Sequence, residues 1–371
     1  MASASDSPTT LGILGGGQLA RMLAEAALPL GIRSVVLSPE ADPCSSDCAE
    51  IIWAGYDDPA ALVELAEGVD AVTYEFENVP AASVRALERH VSIHPAAEAL
   101  DQAQDRLLEK QLFERLGVPV LPFAPISSMG ELTAAAETIG LPSVLKTRSE
   151  GYDGKGQSVL RSPDDFEAAM ALMDGRPALL EAFAPFEREV SIVAVRSTTG
   201  ETRFYPIAEN VHENGVLRLS TALSDDPMQE HAERYAQSML DHLGYAGAMA
   251  VEFFQVGDTL YANEFAPRVH NSGHWTIEGA ETSQFENHVR AVCGLPLGDT
   301  SLVGAAAMVN FLGAVPPTAD VLSVPGVHLH AYGKTPRPGR KVGHATIRIP
   351  IDNLEQFQRS VSELLELAQR A

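Results

Sequence analysis

The chain has 371 residues, enough for two or three packed units rather than one core. Hydrophobic residues make up 45% of it and charged residues 20%, which is ordinary for a globular protein. The formal net charge of -24 argues against binding along a nucleic-acid backbone or an anionic membrane surface, because like charges repel. Small anionic ligands would need local clusters of Lys, Arg and backbone N–H groups.

Cysteine content and the N-terminus bear on the compartment. Cys44 and Cys48 have no second Cys or His pair nearby, so a zinc site is not expected, and Cys293 stands alone. A reducing cytosol is the simplest compartment. Residues 1–9 are small and polar and predict a disordered leader, and no segment is long and uncharged enough to span a bilayer. We therefore expect a cytoplasmic protein without nucleic-acid or membrane partners.

Residues 10–97 alternate between short apolar strands and helical segments. Strands are predicted at 10–14, 34–37, 51–53 and 71–74, with helices at 18–28 and 61–66. This alternation predicts an α/β domain built on a parallel sheet with right-handed crossovers.

Residues 98–293 read as a larger unit with both α/β and α+β character. A long helix is predicted over 98–116, ended by Gly117 and Pro119. A small α+β unit follows over about 120–187. Longer strands are then predicted at 190–196, 203–208, 248–255 and 260–265, the last two joined by a hairpin turn at 256–258. Residues 294–371 form a C-terminal piece with a basic run, 334–341, and a final helix, 354–369.

A glycine-rich segment follows the apolar strand at 142–146. It contains Gly151, Gly154 and Gly156, with Lys155 between the last two. Glycines let backbone N–H groups approach a polyphosphate closely, and a lysine neutralises its charge. The segment therefore predicts a phosphate cover. It is not a Walker A loop, because the upstream glycine spacing and the following Ser or Thr are missing.

Two acidic residues lie on either side of the predicted hairpin turn. Glu252 and Glu264 would face each other across an antiparallel pair, with Asn263 beside them. Two carboxylates and an amide oxygen suit Mg²⁺, a hard cation usually shared with substrate phosphates. The alternative is a pair of solvated strand acids, although an unpartnered charge in an apolar strand is costly.

Four further patterns leave alternatives open. Glu181 and Glu189 flank a linker suited to a nucleoside, but a glutamate at a strand end is often only solvated. The turn ending at Gly17 and Gln18 imitates a dinucleotide fingerprint with Glu40 downstream, yet it equally suits a substrate phosphate at a helix N-terminus. The basic run 334–341 is either an anion site or a solvated face. Similarly, the histidines of 270–274 are either ligands or packing residues.

The order of these features resembles that of the ATP-grasp ligases, which clamp ATP between two α+β subdomains and activate a carboxylate as an acyl phosphate. Four segments carry a closer resemblance to one member family, the N5-carboxyaminoimidazole ribonucleotide synthetases of purine biosynthesis. They are GILGGGQLARM (12–22), EFENVP (75–80), YDGKGQ (152–157) and NEFAPRVHNSGHWT (263–276). The resemblance implies an ATP-grasp fold with an N-terminal, Rossmann-like pre-ATP-grasp domain and a small C-terminal domain.

The resemblance also implies a role for each matching residue. ATP would be contacted by Arg106, Lys146, Gly151, Tyr152, Asp153, Gly154, Lys155, Gly156, Glu181, Ala182, Phe183, Ala184, Glu189, His212, Asn263 and Glu264. Mg²⁺, with Mn²⁺ as an alternative, would be ligated by Glu252 and Glu264. The ribonucleotide would be bound by Gly17, Gln18, Glu75, Tyr152, Asp153, Lys334, Arg340 and Lys341. Bicarbonate would be surrounded by Lys155, Arg268, His270 and Asn271, and Asp153 would remove the amine proton.

The implied reaction is ATP-dependent carboxylation of 5-aminoimidazole ribonucleotide with bicarbonate through carboxyphosphate, releasing ADP and phosphate. Whether carboxyphosphate or CO2 released from it is attacked stays open, and a homodimer is implied by the family alone. One rival is a formate-using transformylase acting on glycinamide ribonucleotide. The other is a catalytically silent nucleotide-binding regulator, against which stand Lys146, Lys155, Glu252 and Glu264.

Overall fold

The computed structural model describes residues 9–149 and 156–371. Its first unit is a five-stranded parallel sheet in the order β3-β2-β1-β4-β5, which confirms the predicted parallel α/β arrangement. The strands are β1 (Thr10–Leu14), β2 (Arg33–Ser38), β3 (Glu50–Trp53), β4 (Ala71–Tyr74) and β5 (Ser92–Ile93). The helices are α1 (Gln18–Ala27), α2 (Pro59–Gly68) and α3 (Ala81–Leu87).

The predicted single helix over 98–116 is wrong. The structure contains two helices, α4 (Ala97–Ala103) and α5 (Arg106–Arg115). They are separated because Asp105 has an extended backbone and its side chain accepts the N–H of Leu107, which begins a new helix there. Arg148 donates to the same carboxylate at 3.0 Å and fixes the break from outside the helix.

A four-stranded antiparallel sheet in the order β6-β9-β7-β8 forms the small α+β unit. Its elements are β6 (Phe123–Ile126), α6 (Met129–Ile139), β7 (Ser143–Thr147), β8 (Gln157–Leu160), α7 (Phe166–Met173) and β9 (Ala178–Ala182). Buried side chains of both helices, including Leu132 and Phe166, pack on Leu145 and Leu180 of the sheet. The unit therefore has its own core, and its sheet presents Lys146 and Glu181 on neighbouring strands.

The largest sheet has nine strands and runs from the middle of the chain into its C-terminal part. Its middle elements are β10 (Arg188–Arg196), β11 (Thr202–Phe204), β12 (Ala208–Glu213), β13 (Val216–Ala222), α8 (Gln229–His242), β14 (Gly247–Val256), β15 (Thr259–Ala266), α9 (Thr276–Gly279) and α10 (Gln284–Val292). Its last elements are β16 (Ala305–Leu312), α11 (Thr318–Ser323), β17 (Val327–Ala331), β18 (Lys341–Ile349) and α12 (Leu354–Arg370). The order is β15-β14-β10-β12-β13-β16-β18-β17, with β11 paired to β10 beside this path, so the C-terminal strands extend the central sheet through β13 and β16.

Helices cover both faces of this sheet. α8 and α5 share one buried cluster with β10 and β14, and α1 and α10 share another with the opposite face. Because α1 belongs to the N-terminal unit, its packing on α10 brings the parallel sheet against the central one.

One predicted strand of the central sheet is wrong and one predicted turn is confirmed. The strand over 203–208 is divided, because Pro206 has no N–H to donate and β11 ends before it at Phe204. The turn at 256–258 does join β14 to β15 as an antiparallel hairpin.

Residues 1–8 of the predicted leader lie outside the described residues. Thr9 is anchored, because its N–H donates to Asp70 at 2.7 Å. Within the part of the chain that the structure describes, no helix is both long and apolar enough to cross a membrane.

Candidate active site

Two clefts lie side by side between the three units. The smaller has a volume of about 370 Å³ and the larger about 980 Å³. Among the predicted ATP and metal residues, the smaller cleft is lined by Arg106, Lys146, Glu189, His212, Glu252, Asn263 and Glu264. The larger is lined by the predicted ribonucleotide residues Gly17, Gln18, Glu75, Lys334, Arg340 and Lys341. Most residues of each predicted set therefore line their own cleft, and Arg106, Glu264 and Lys341 line both.

Among the described residues, five line both clefts and define their junction. They are Arg106, Glu264, His270, Asn271 and Lys341. We call this set the junction. The family resemblance assigns two of its members, His270 and Asn271, to bicarbonate and a third, Lys341, to the phosphate of the ribonucleotide. A phosphoryl group leaving one cleft and an amine held in the other would meet there.

The carboxylate pair is the feature that the sequence predicts most directly. Glu252 and Glu264 are register partners across β14 and β15, next to a bulge at Glu252 and Phe253. Only 13% of the Glu252 side chain is exposed, so it is not a solvated strand acid. Burial, with the Glu264 carboxylate beside it, raises the pKa of Glu252 to about 7. Arg106 donates to Glu264 at 3.1 Å.

This donor set fits a hard divalent cation. The Glu264 carboxylate opposes ionisation of the buried Glu252, and a cation between the two would relieve the repulsion. Within residues 9–149 and 156–371, no cluster of three or more His, Cys, Asp or Glu is arranged to hold a metal by itself. A cation here would therefore take further oxygen ligands from Asn263 or from a substrate.

A pH-dependent metal effect follows from this pair. The Glu252 pKa is raised from 4.5 to about 7, so between these values the folded chain keeps a proton that the unfolded chain has lost. Stability should therefore fall as pH rises through this window. A divalent cation would bind the ionised pair, so Mg²⁺ should raise the melting temperature more at pH 8 than at pH 5.5. The difference between the two shifts should be about 2 °C or more. Thermal unfolding with and without Mg²⁺ measures this, and Glu252→Gln should abolish the difference. Equal stabilisation at both pH values would contradict the site.

A buried ion-pair triad lies on the ATP side. The Glu181 carboxylate accepts from Lys146 at 2.6 Å and from Lys110, and the side chains of Glu181 and Lys110 are each 2% exposed. Although burial alone would raise it, the two lysines lower the pKa of Glu181 to about 2. Lys146 also lies 3.4 Å from Asn263 Oδ1. Glu181 thus anchors Lys146 at the cleft. The role of Lys110 was not predicted, because a lysine in the highly charged helix α5 is expected to be solvated.

The outer wall of the smaller cleft combines an aromatic pair and a histidine pair. Phe186 and Phe254 stack with ring centroids 4.9 Å apart, and neither was predicted from the sequence. His212 Nδ1 lies 2.8 Å from Glu189 Oε2. Burial would lower the pKa of His212, but Glu189 and the nearby carboxylates raise it. The wall thus offers an apolar surface beside polar groups, as a nucleoside requires.

The remaining predicted ATP residues fall into two groups. Ala182, Phe183 and Ala184 are not among the described residues that line either cleft. The amides of Ala182 and Phe183 donate to the Pro122 and Pro142 carbonyls, at 2.9 and 3.3 Å. Residues outside the described part of the chain are Gly151, Tyr152, Asp153, Gly154 and Lys155. Gly156 is described and its φ is +70°, beside Thr147.

The ribonucleotide side is built on the carboxyl ends of β1 and β4, where ligands of parallel sheets commonly bind. Glu75 is 7% exposed and accepts from Gly17 N and from Ala20 N at 3.0 Å, so it caps α1 from within the larger cleft. A Cβ at Gly17 would lie 2.6 Å from Glu75 Oε1, so a larger residue there would displace the Glu75 carboxylate from the α1 N-terminus. Lys334 donates to Gln18. The α1 N-terminus is thus occupied by the Glu75 carboxylate. Positive side chains line the rest of the larger cleft: Lys334, Arg337, Arg340 and Lys341, together with Arg106, Arg148 and Arg268.

The segment after β15 brings His270 and Asn271 to the junction and Arg268 to the larger cleft beside it. Arg268 donates to Glu77 at 2.5 Å, a partner that the sequence did not single out. Burial would raise the pKa of Glu77, but Arg268 lowers it to about 2. Asn271 and Asn310 bond to each other through both amides, at 2.7 and 3.1 Å. Burial, together with Arg268 and Lys341, lowers the pKa of His270 to about 3. His274 and Trp275 are buried packing residues.

Comparison with known proteins agrees with this architecture along the whole chain. Residues 8–104 match the ribonucleotide synthetase preATP-grasp domain, 111–285 the ATP-grasp domain, and 306–354 the phosphoribosylaminoimidazole carboxylase C-terminal domain. N5-carboxyaminoimidazole ribonucleotide synthase of Pseudomonas aeruginosa is 56% identical over 338 residues, covering 91% of this chain and 94% of that protein. The chain belongs to the N5-carboxyaminoimidazole ribonucleotide synthase family.

Solved structures of this family share the fold. The synthetase of Thermus thermophilus is 50% identical, with a TM-score of 0.92 over 96% of this chain and 98% of that chain. The Aspergillus clavatus enzyme, solved in complex with ADP and 5-aminoimidazole ribonucleotide, is 28% identical with a TM-score of 0.90, covering 98% of this chain and 100% of that chain. The predicted ATP-grasp fold is confirmed, and the protein is an ATP-grasp ligase that uses ATP.

Proposed function

We propose that this chain carboxylates 5-aminoimidazole ribonucleotide with bicarbonate and ATP, giving N5-carboxyaminoimidazole ribonucleotide, ADP and phosphate. The observation that carries the proposal is the junction, where an acidic, nucleotide-sized cleft and a larger cation-lined cleft share five residues. A reaction that passes a group from ATP through bicarbonate to an amine needs two adjoining sites of this kind.

ATP would lie in the smaller cleft. Its base and ribose would be held between the stacked pair Phe186 and Phe254 and the polar pair Glu189 and His212. Its phosphates would extend toward Lys146, whose ammonium pairs with the Glu181 carboxylate at 2.6 Å. Arg106, at the junction, would face the transferred phosphoryl group. Cations placed in this way stabilise the charge that spreads over the phosphoryl oxygens in the transition state.

Mg²⁺ would be held by Glu252 and Glu264, with Asn263 beside them. When bound, it would neutralise phosphate charge in an otherwise acidic part of the cleft. In its absence the two carboxylates repel each other, which adds to burial in raising the pKa of Glu252. The chain's own contribution is to keep both acids on one rigid hairpin.

Bicarbonate would bind at the junction beside Arg268, His270 and Asn271. Bicarbonate is a poor electrophile, so its activation requires phosphoryl transfer, and carboxyphosphate is hydrolytically fragile, so it requires a site closed to water. Glu77 holds the Arg268 side chain in place, and Asn310 holds Asn271. These rigid partners would keep the positive and amide groups in position without reorganisation during the reaction.

The ribonucleotide would occupy the larger cleft with its amine toward the junction. Lys334, Arg340 and Lys341 would take its 5′-phosphate, and Glu75 would face the imidazole ring. By family resemblance alone, we further propose that Tyr152, Asp153 and Lys155 complete the site, and that the protein works as a cytosolic homodimer.

The test is phosphate release measured with every combination of the three substrates. We expect turnover only when ATP, bicarbonate and 5-aminoimidazole ribonucleotide are all present. Formate with glycinamide ribonucleotide, in place of bicarbonate and 5-aminoimidazole ribonucleotide, should give no turnover. ATP hydrolysis that is indifferent to both bicarbonate and the ribonucleotide would refute the assignment, and turnover with the formate pair would transfer it to the transformylase.

A further inference from the structure

His270 has one ring nitrogen at the junction and the other in the protein interior. Its Nε2 lies 3.6 Å from Glu252 Oε1, and the residue lines both clefts. Its Nδ1 lies 2.9 Å from the hydroxyl of Ser272, which is 1% exposed. The two nitrogens therefore have different surroundings, and the tautomer decides what the ring offers to a substrate.

A chain of buried polar side chains leads to Nδ1. Ser220 Oγ donates to Asn210 Oδ1 at 2.6 Å, Asn210 Nδ2 donates to Ser191 Oγ at 2.9 Å, and Ser191 Oγ donates to Ser272 Oγ at 2.8 Å. All four side chains are 5% exposed or less. They come from β13, β12, β10 and the turn after β15, so the chain crosses three strands of the central sheet. We call it the serine–asparagine chain.

The backbone fixes which tautomer is present. Ser272 N–H donates to His270 Nδ1 at 3.3 Å. A backbone N–H can only donate, so this contact assigns Nδ1 as an acceptor without a proton, whereas the Ser272 hydroxyl could donate to or accept from the ring. The proton of the neutral ring is then on Nε2, and the Ser272 hydroxyl, which receives the Ser191 proton, is free to donate to Nδ1 as well.

The backbone of His270 is held by a second, separate contact. Its N–H donates to Gln284 Oε1 at 2.9 Å, and Gln284 Nε2 donates to its carbonyl at 2.6 Å. Gln284 is fully buried. Because Gln284 holds the backbone, the serine–asparagine chain has only the ring to orient. Removal of a hydroxyl from the chain should therefore alter the ring without displacing the loop.

We propose that Ser191, Asn210, Ser220 and Ser272 are positioning residues that orient the His270 ring, so that its Nε2–H faces the junction and donates to the bicarbonate oxygens there. This rests on the carboxylation proposed above for the nature of the anion. His270 then stabilises negative charge on bicarbonate as it is phosphorylated, and it cannot accept the amine proton there, because its lone pair is at Nδ1. Neither Ser191 nor Asn210 nor Ser220 lines either of the two clefts, so their effect reaches the substrate through His270.

The tautomer is tested directly by ¹⁵N NMR of the full chain labelled at histidine. The His270 signals are assigned by their loss in His270→Gln. We expect Nδ1 at the position of an unprotonated, hydrogen-bonded nitrogen and Nε2 at that of a protonated one, at neutral pH. A protonated Nδ1 in the wild-type protein would overturn the proposal. This spectrum needs no substrate, so it decides the tautomer even if the wild-type protein shows no bicarbonate-dependent turnover and the proposed function fails.

Kinetics of Ser191→Ala test the positioning role. The KM for bicarbonate should rise about tenfold, because the variant removes the buried Ser191–Ser272 hydrogen bond that leads to His270 Nδ1. The KM values for ATP and the ribonucleotide should stay within about twofold. Ser191→Thr keeps the hydroxyl and should restore the bicarbonate KM. Ser360→Ala, which removes a buried hydroxyl in α12, is the matched control. Unchanged bicarbonate kinetics in Ser191→Ala would refute the role. If that variant does not fold, the wild-type spectrum alone decides.

Discussion

Glu264→Gln should reduce the carboxylation kcat by about 10²–10³-fold while leaving the fold intact. Glutamine keeps the volume of the side chain but removes one of the two charges that would hold a cation against the ATP phosphates. The free energy of unfolding should stay the same or increase, because the variant also relieves the repulsion between Glu264 and Glu252. Initial-rate measurements at saturating substrates, together with denaturant unfolding, give both quantities.

Glu209→Gln is the matched control for this variant. Glu209 lies on β12 of the same sheet, its side chain is 43% exposed against 42% for Glu264, and it pairs with Arg188 outside the two clefts. Its turnover should equal that of the wild-type protein. A Glu264→Gln variant with wild-type turnover would remove Glu264 from the metal site, and an equal loss in both variants would indicate a general effect of charge.

Glu181→Gln should destabilise the protein by about 3–5 kcal/mol, the largest stability effect that we expect from a single charged residue. Lys110 and Glu181 are each 2% exposed, so the variant leaves the Lys110 ammonium buried without its counter-charge. It also removes the anchor of Lys146, so the KM for ATP should rise. Equilibrium unfolding in urea measures the first effect and initial rates at varied ATP the second.

A double variant separates stability from ATP binding. Lys110→Met with Glu181→Leu replaces the buried pair with apolar side chains and should recover most of the lost stability. It should not recover the KM for ATP, because Lys146 still lacks its partner. Glu366→Gln, which breaks an exposed pair with Arg370 on α12, should cost less than about 0.5 kcal/mol. A loss as small as this in Glu181→Gln would mean that the triad contributes little to stability.

The carboxylate pair could be predicted because it depends on local geometry. A short hairpin turn fixes the register of the two strands that it joins, and this register brings Glu252 close to both Asn263 and Glu264. The turn alone would pair Glu252 with Asn263, and a bulge between Glu252 and Phe253 shifts the register by one residue, so that Glu264 lies opposite Glu252. The same argument places Asn263 beside them. The division of the predicted helix at Asp105 could not be anticipated in this way, because Arg148, which holds that aspartate, lies on the far side of β6 and β7 in sequence.

Several residues of the site gave no signal in the sequence. Lys110 looks like a solvated lysine of a charged helix until β9 places Glu181 against it. Phe186 and Phe254 are far apart in sequence, and their stacking depends on the pairing of β10 with β14. Glu77 becomes the partner of Arg268 only when the N-terminal sheet packs against the central one.

The sequence by itself determined the family, the parallel N-terminal sheet, the hairpin that carries the two carboxylates and the residue types expected to face ATP and the ribonucleotide. The family follows from the order of its characteristic segments along the chain. The sheet and the hairpin follow from hydrophobic periodicity and turn signals, which extend over about ten residues. Only the tertiary structure decided that two clefts meet at five shared residues, that Glu75 caps α1, and that a buried hydrogen-bonded chain leads from β13 to Ser272 beside His270. The physical reason is that burial and hydrogen-bond partners depend on strands distant in sequence, and these two factors determine the charge and direction of each group.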